Sequence, residues 1–134
     1  MPHDPVAAAA RRILVVEDHD LISLLMSDML EEMGHSVCAI APSEEAAIAA
    51  AADHQPDLII ADAALAGGSG LVAMAIMLRA RWVPHIYMSG NLRSLDALPR
   101  DAVVLRKPFK HDDLAHAISQ AVQVPPMPAI RISA

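Results

Sequence analysis

The chain has 134 residues, which is enough for one domain with its own hydrophobic core. Hydrophobic residues make up 54% of the chain and aromatic residues only 2%, so the core has to be built from Ala, Leu, Ile, Val and Met. The net charge of −6 argues against a nucleic-acid-binding surface, and Asp96 and Asp101 interrupt the loose basic run between Arg93 and Lys110.

The first half of the chain alternates short apolar runs with helical periods. Residues 12–16 predict a strand buried on both faces, and residues 35–41 predict a second strand. Asp20 can cap the helix between them, and Gly34 ends it. The buried stripe of this helix is expected at Leu21, Leu24, Leu25, Met29 and Met33.

The next helix has a clear start signal. Pro42 and Ser43 open an Ala-rich segment with Glu44 and Glu45 in its first turn, where the helix dipole favours acidic residues. The continuous apolar run that follows predicts a third buried strand at residues 57–62.

The second half continues the alternation. Residues 63–70 are expected to form a loop, and residues 71–81 a helix. Residues 85–90 and 102–107 predict the fourth and fifth strands, separated by a short helix before Pro99. The last helix is expected to begin at Asp112 or Asp113 and to run to about Val122.

Five βα units of this kind predict one α/β domain. Because the links are short, the strands should form a parallel, doubly wound sheet with helices on both faces. We place the domain at residues 11–123, between an N-terminal tail (1–10) and a C-terminal tail (124–134).

The apolar runs are too short for a membrane helix, which needs about 18 residues. The opening MPHDPVAAAARR has its arginines after the apolar stretch, the wrong order for a secretory signal. The single cysteine, Cys38, excludes an internal disulfide. We therefore expect a cytoplasmic protein with neither a membrane nor a nucleic-acid partner.

Polar side chains follow four of the five predicted strands. They are Glu17 and Asp18 after the first strand, Asp62 after the third, Ser89 after the fourth and Lys107 after the fifth. The carboxyl ends of parallel strands share one edge of the sheet, and in doubly wound folds function collects at that edge. These five residues are therefore candidates for one site.

The charges of this group suggest a metal ion. Three carboxylates supply −3, one ammonium supplies +1, and a divalent cation would bring the site to neutrality. Oxygen ligands without a cysteine or histidine set suit Mg²⁺ or Mn²⁺. His19 is a conceivable ligand, but a partly exposed loop histidine is the simpler interpretation. Asp62 can then act as a nucleophile towards a phosphoryl group, which metal and cationic charge would stabilise.

These residues also match a family. The segments VVED, IIAD, MSG and LRKPF resemble the receiver domain of two-component response regulators over about residues 12–122. The resemblance implies a flavodoxin-like fold and a histidine-kinase or histidine-phosphotransfer donor. It implies a cis bond between Lys107 and Pro108. The roles it implies are metal-binding acids at Glu17 and Asp18, the phosphoacceptor at Asp62, a switch hydroxyl at Ser89, a phosphate contact at Lys107 and a metal-binding carbonyl at Ala64.

Three departures from the family pattern bear on signalling. The position four residues after the phosphoacceptor, usually proline, is Ala66, and Val104 stands where many receivers have Tyr or Phe. Ser89 and Lys107 are 107 − 89 = 18 positions apart, fewer than usual, so the intervening helix should be short. The segment YMSGN with VLRKPF resembles a subgroup of single-domain receivers marked by a Phe-Ala-Thr-Gly-type motif.

Four interpretations of the function are open. One of them, a receiver cut from a hybrid kinase, is disfavoured by the starting Met1 and the terminal tail, which we expect of an independent gene product. The leading one is a stand-alone receiver that accepts a phosphoryl group and passes the signal to an unknown downstream protein by contact. A second is a binding module that works without phosphorylation. A third is a phosphatase with an aspartyl nucleophile, but such enzymes typically carry a second Asp two residues after the first, where this chain has Ala64.

Overall fold

The computed structural model describes residues 9–65, 67–90 and 96–126. Its strands are β1 (Arg12–Val16), β2 (Ser36–Ala41), β3 (Leu58–Asp62), β4 (Ala64–Leu65), β5 (Gly68–Ser69), β6 (His85–Ser89) and β7 (Val104–Arg106). Its helices are α1 (Asp20–Glu32), α2 (Glu44–His54), α3 (Gly70–Ala80) and α4 (His111–Gln123). Five strands form one parallel sheet in the order β2-β1-β3-β6-β7. The predicted doubly wound, flavodoxin-like architecture is confirmed.

Helices cover both faces of this sheet because successive residues of a strand point to opposite sides. On β1, Ile13 and Val15 join a core cluster with side chains of α1 and α4. Leu14 and Val16 join a second cluster with side chains of α2 and α3. Strands buried on both faces explain the continuous apolar runs of the sequence.

The predicted loop after β3 contains a small antiparallel hairpin. Ala64 pairs with Ser69 and Leu65 pairs with Gly68. Ala66 lies outside the described residues, so the consequence of its replacing a proline stays a prediction.

The predicted buried face of α1 is wrong. Leu21, Leu24 and Leu25 are 57%, 58% and 52% exposed, so the leucine-rich side of the helix faces outward. The side chains that α1 buries instead are Ser23, Met26 and Leu30. Met29 and Met33 lie at the border and pack against the core while partly buried, as the predicted stripe required.

Two predicted helix starts also differ from the structure. The N-cap of α1 is His19, whose Nδ1 accepts a hydrogen bond from the Ile22 N–H at 3.4 Å, and Asp20 is the first helical residue. Helix α4 begins at His111, earlier than predicted, because the Asp113 carboxylate accepts a hydrogen bond from the Lys110 N–H at 2.8 Å. By contrast, Ser43 caps α2 as predicted.

Some predictions fall outside the described residues. The short helix between β6 and β7 was expected in a segment that includes residues 91–95, and the two tails include residues 1–8 and 127–134. The domain boundaries therefore stay predictions. In the described part of the chain, no helix combines the length and the apolar character that crossing a bilayer requires.

Candidate functional site

The register of the sheet brings the polar strand ends to one edge. Asp62, the last residue of β3, pairs with Met88, and the adjacent Ser89 pairs with Arg106 at the end of β7. The Lys107 N–H donates a hydrogen bond to the Ser89 carbonyl at 2.8 Å, which fixes the chain as it leaves β7. The peptide bond between Lys107 and Pro108 is cis, as the family resemblance implied.

Three carboxylates meet at this edge. One oxygen each of Glu17, Asp18 and Asp62 lies within 4.8 Å of the others. Glu17 is 2% exposed and Asp62 is 7% exposed, whereas Asp18 is half-buried. Water therefore screens the mutual repulsion of these acids less than it would at an open surface.

Lys107 offsets part of this negative charge. Its Nζ donates hydrogen bonds to Glu17 Oε1 and to Asp62 Oδ2, each at 2.6 Å. Burial disfavours the Lys107 charge, but the two carboxylate partners outweigh it and raise the pKa of this lysine. Lys107 is therefore a firmly charged ammonium that joins the ends of three strands.

At Glu17, the effects that disfavour the charged carboxylate outweigh those that favour it. Burial raises the pKa of its carboxyl, and the neighbouring Asp62 charge acts in the same direction. The hydrogen bonds from Lys107 and from the His19 N–H, which reaches Glu17 Oε2 at 3.1 Å, act against that rise. The unfavourable environment of Glu17 is what a nearby cation would relieve.

Backbone contacts hold the candidate nucleophile in one orientation. Asp62 Oδ1 accepts a hydrogen bond from the Ala64 N–H at 3.0 Å, while Oδ2 accepts from Lys107. The family resemblance implied a role only for the Ala64 carbonyl, so the contact of the Ala64 amide with Asp62 was not predicted. Its only sequence signal is local: an aspartate can accept from the backbone two residues on.

Two further residues that shape the site were missed. A Cβ on Gly70, the first residue of α3, would lie 1.7 Å from the Asp62 carbonyl oxygen, so only glycine fits there. The Glu44 carboxylate accepts a hydrogen bond from the Ser69 N–H at 3.0 Å and so reaches the hairpin after Asp62. Ser89 is 4% exposed at the end of β6, on the same edge.

The arrangement fits a divalent cation. Its donors are carboxylate oxygens, which hard cations such as Mg²⁺ prefer, and three carboxylates against one ammonium leave an excess of negative charge. His19 is exposed and is not one of the clustered residues; its ring caps α1, in agreement with the simpler interpretation of this histidine.

Comparison with known proteins agrees with this geometry. The family model for the response regulator receiver domain matches residues 13–119. The transcriptional regulatory protein PdtaR of Mycobacterium tuberculosis is 34% identical over 123 residues, which cover 89% of this chain and 60% of PdtaR. The phyllosphere-induced regulator PhyR of Methylorubrum extorquens is 33% identical over 120 residues, covering 87% of this chain and 45% of PhyR.

The fold has close relatives among solved structures. The receiver domain of the PhyR response regulator from Erythrobacter litoralis superposes with a TM-score of 0.78 at 30% identity, covering 91% of this chain and 97% of that one. The present chain spans about half the length of the two curated relatives. The sequence motifs, the sheet order and the clustered acids agree with the family model, and the chain belongs to the response regulator receiver domain family.

Proposed function

We propose that this chain is a phosphoryl-accepting switch in a two-component pathway, with Asp62 as the acceptor. The observation that carries the proposal is the setting of Asp62. This carboxylate ends a buried strand, is oriented by the Ala64 amide and by Lys107, and lies beside two further acids. Lys107 contacts only two of the three acids, so the cluster keeps an excess of negative charge that a cation and a phosphoryl-transfer site would use.

The proposed reaction is a transfer between two proteins. A carboxylate oxygen of Asp62 forms a bond to phosphorus while the bond from phosphorus to the donor's histidine nitrogen breaks, and that nitrogen keeps the electron pair. Lys107 and the Ser89 hydroxyl would donate hydrogen bonds to the phosphoryl oxygens. Water later attacks the acyl phosphate, which releases inorganic phosphate and restores the carboxylate. The chain would catalyse these steps on itself and on no other substrate.

Mg²⁺, for which Mn²⁺ can substitute, would be held by the carboxylates of Glu17, Asp18 and Asp62 and by the carbonyl of Ala64. When bound, it would neutralise the charge of the phosphoryl oxygens. The rigid contacts of Glu17 and Asp62 support this assignment, because two of the three acids already have a fixed orientation.

The proposed partners follow from this chemistry. The donor would be a sensor histidine kinase or a histidine-phosphotransfer protein, and the receiver of the signal a protein that recognises the phosphorylated form, in the cytoplasm. Membership of the receiver family and the regulator names of the relatives support partners of these kinds.

A single experiment separates this function from its alternatives. The protein is incubated with a small-molecule phosphodonor and Mg²⁺, and its intact mass and the remaining donor are followed. A phosphoryl-sized mass gain that needs Mg²⁺ is expected for a receiver. Continuous donor hydrolysis without a mass gain would support a phosphatase, and neither effect would support a binding module that works without phosphorylation.

A further inference from the structure

The hairpin that follows Asp62 is fastened to the start of α2. The Ser69 N–H donates a hydrogen bond to Glu44 Oε1 at 3.0 Å, and the Glu44 N–H donates one to the Gly67 carbonyl at 3.3 Å. Ser43 and Gly67 also form an isolated parallel bridge. These contacts join segments about 25 positions apart in the chain, so they are tertiary contacts and not part of the turn itself.

The same hairpin orients the phosphoacceptor. Ala64 pairs directly with Ser69 across the two short strands. The Ala64 N–H donates to Asp62 Oδ1. A continuous series of contacts therefore runs from Glu44 through Ser69 and Ala64 to Asp62.

The hairpin needs outside support. A two-stranded ribbon of this length is unstable by itself, and the consecutive glycines Gly67 and Gly68 lose much conformational freedom when they are ordered. Gly68 has φ +122, and a Cβ there would lie 2.8 Å from the Glu44 side chain, so the glutamate packs closely against it.

We propose that Glu44 is a positioning residue for Asp62. By fixing Ser69, it holds Ala64 where its amide orients the acceptor carboxylate and where its carbonyl is available to the cation. The inference rests on the proposed function for its consequence, but its structural part can be tested without phosphorylation.

Three variants test the proposal. Glu44→Ala removes the acceptor, Glu44→Gln keeps an acceptor oxygen without the charge, and Glu45→Ala is the matched control. Glu45 is the exposed acid beside Glu44 and lies in the same turn of α2, so its removal causes a similar loss of helix-dipole stabilisation. Thermal unfolding of each variant shows whether α2 and the domain stay folded.

The first measurement uses metal-free protein. Amide hydrogen exchange at Ser69 and Ala64 should be about tenfold faster in Glu44→Ala, which corresponds to the loss of about one hydrogen bond, and close to wild type in Glu44→Gln and Glu45→Ala. Exchange at Ile60, in the centre of β3, should not change. Unchanged exchange at Ser69 and Ala64 in a folded Glu44→Ala protein would overturn the proposal.

The second measurement is a Mg²⁺ titration followed by amide shifts of the site. The affinity for Mg²⁺ should fall about three- to tenfold in Glu44→Ala, with recovery to within about twofold in Glu44→Gln. Equal losses in Glu44→Gln and Glu44→Ala, or in Glu45→Ala, would show that Glu44 acts through its charge or through α2 and would contradict the proposed positioning. If the wild-type protein bound Mg²⁺ but accepted no phosphoryl group, the proposed function would fail while this result still stood.

Discussion

Asp18 adds a third carboxylate to a site in which Lys107 contacts Glu17 and Asp62. Such an arrangement is suited to binding a cation rather than to stability, because like charges a few ångströms apart repel one another. Sites of this kind commonly reduce the stability of the free protein for the sake of function.

Asp18→Asn should therefore stabilise the metal-free protein and weaken its Mg²⁺ binding. We expect the free energy of unfolding in the presence of a chelator to rise by about 1 kcal/mol, since the isosteric amide removes one of three clustered charges. Denaturant unfolding with chelator and with Mg²⁺ measures both effects. Asp20→Asn, at an exposed helix position two residues on, is the control. Mg²⁺ stabilisation as large in Asp18→Asn as in wild type would show that Asp18 is no ligand.

Because of His35, we expect the free energy of unfolding to fall in mild acid. Its ring is buried and its Nδ1 accepts a hydrogen bond from the Arg11 N–H at 3.0 Å. Burial and the Arg11 charge lower its pKa in the folded state. The unfolded histidine binds its proton near pH 6.5, so the stabilisation is complete above that pH and is lost as the pH falls below it, by at most about 1.4 kcal/mol per pH unit.

Unfolding curves between pH 7.5 and about 5 check this prediction. Burial also lowers the pKa of His85, so His35→Gln should reduce the slope without abolishing it. His116→Gln is the control, because it removes an exposed histidine and leaves the buried His35 and the partly buried His85 in place. A wild-type slope in His35→Gln would contradict the assignment.

At the level of elements, the leucine-rich side of α1 is exposed and another side of the same helix is buried. Leu30→Ala should lower the free energy of unfolding by about 2–5 kcal/mol, because Leu30 is fully buried and a cavity would remain. Leu24→Ala, at a residue 58% exposed on the same helix, should change it by no more than about 0.5 kcal/mol. Equal losses in the two variants would mean that the outward face of α1 is buried in solution.

We expect the proposed phosphodonor protein to dock on the side of α1 that exposes Leu21, Leu24 and Leu25. The helix starts two residues after Asp18, at the sheet edge that holds Asp62, so its exposed side lies near the place where the proposed donor would deliver the phosphoryl group. Leu24→Glu should slow phosphoryl transfer from a phosphorylated donor protein about tenfold or more and leave the rate with a small-molecule donor unchanged. Equal slowing with both donors would place the effect in the site itself and not in docking.

The elements that the sequence predicted well are those with a strong local signal. Continuous apolar runs identified the strands of the main sheet, and Ser43 identified the start of α2. The hairpin of Ala64–Leu65 and Gly68–Ser69 was missed because two-residue strands have no periodicity. The buried face of α1 was predicted wrongly because a polar serine was not expected to be buried in place of leucines. Ser23 can be buried because its hydroxyl donates a hydrogen bond to the Asp20 carbonyl within the helix at 2.9 Å, and the leucines then lie on the outer side.

At the scale of the whole molecule, the strand order of the sheet brings together site residues that are far apart in the sequence. Glu17, Asp62 and Lys107 are up to 90 positions apart, and the parallel register brings them into contact. Their meeting was predictable because strand ends share one edge of a parallel sheet. The contact of Glu44 with Ser69 was not predictable, since it depends on how α2 packs beside the hairpin.

In the proposed function, Asp62 alone among the 16 acidic residues of the chain carries the phosphoryl group. The most direct measurement is to phosphorylate the protein with a small donor and Mg²⁺, reduce the acyl phosphate with borohydride, and locate the resulting homoserine by peptide mass spectrometry. Asp62→Asn and Asp53→Asn, the latter at an exposed position on α2, are run in parallel. We expect homoserine at position 62 in the wild type and in Asp53→Asn and none in Asp62→Asn. Homoserine at another acid of the wild-type protein, or undiminished labelling of Asp62→Asn, would show that Asp62 is not the acceptor.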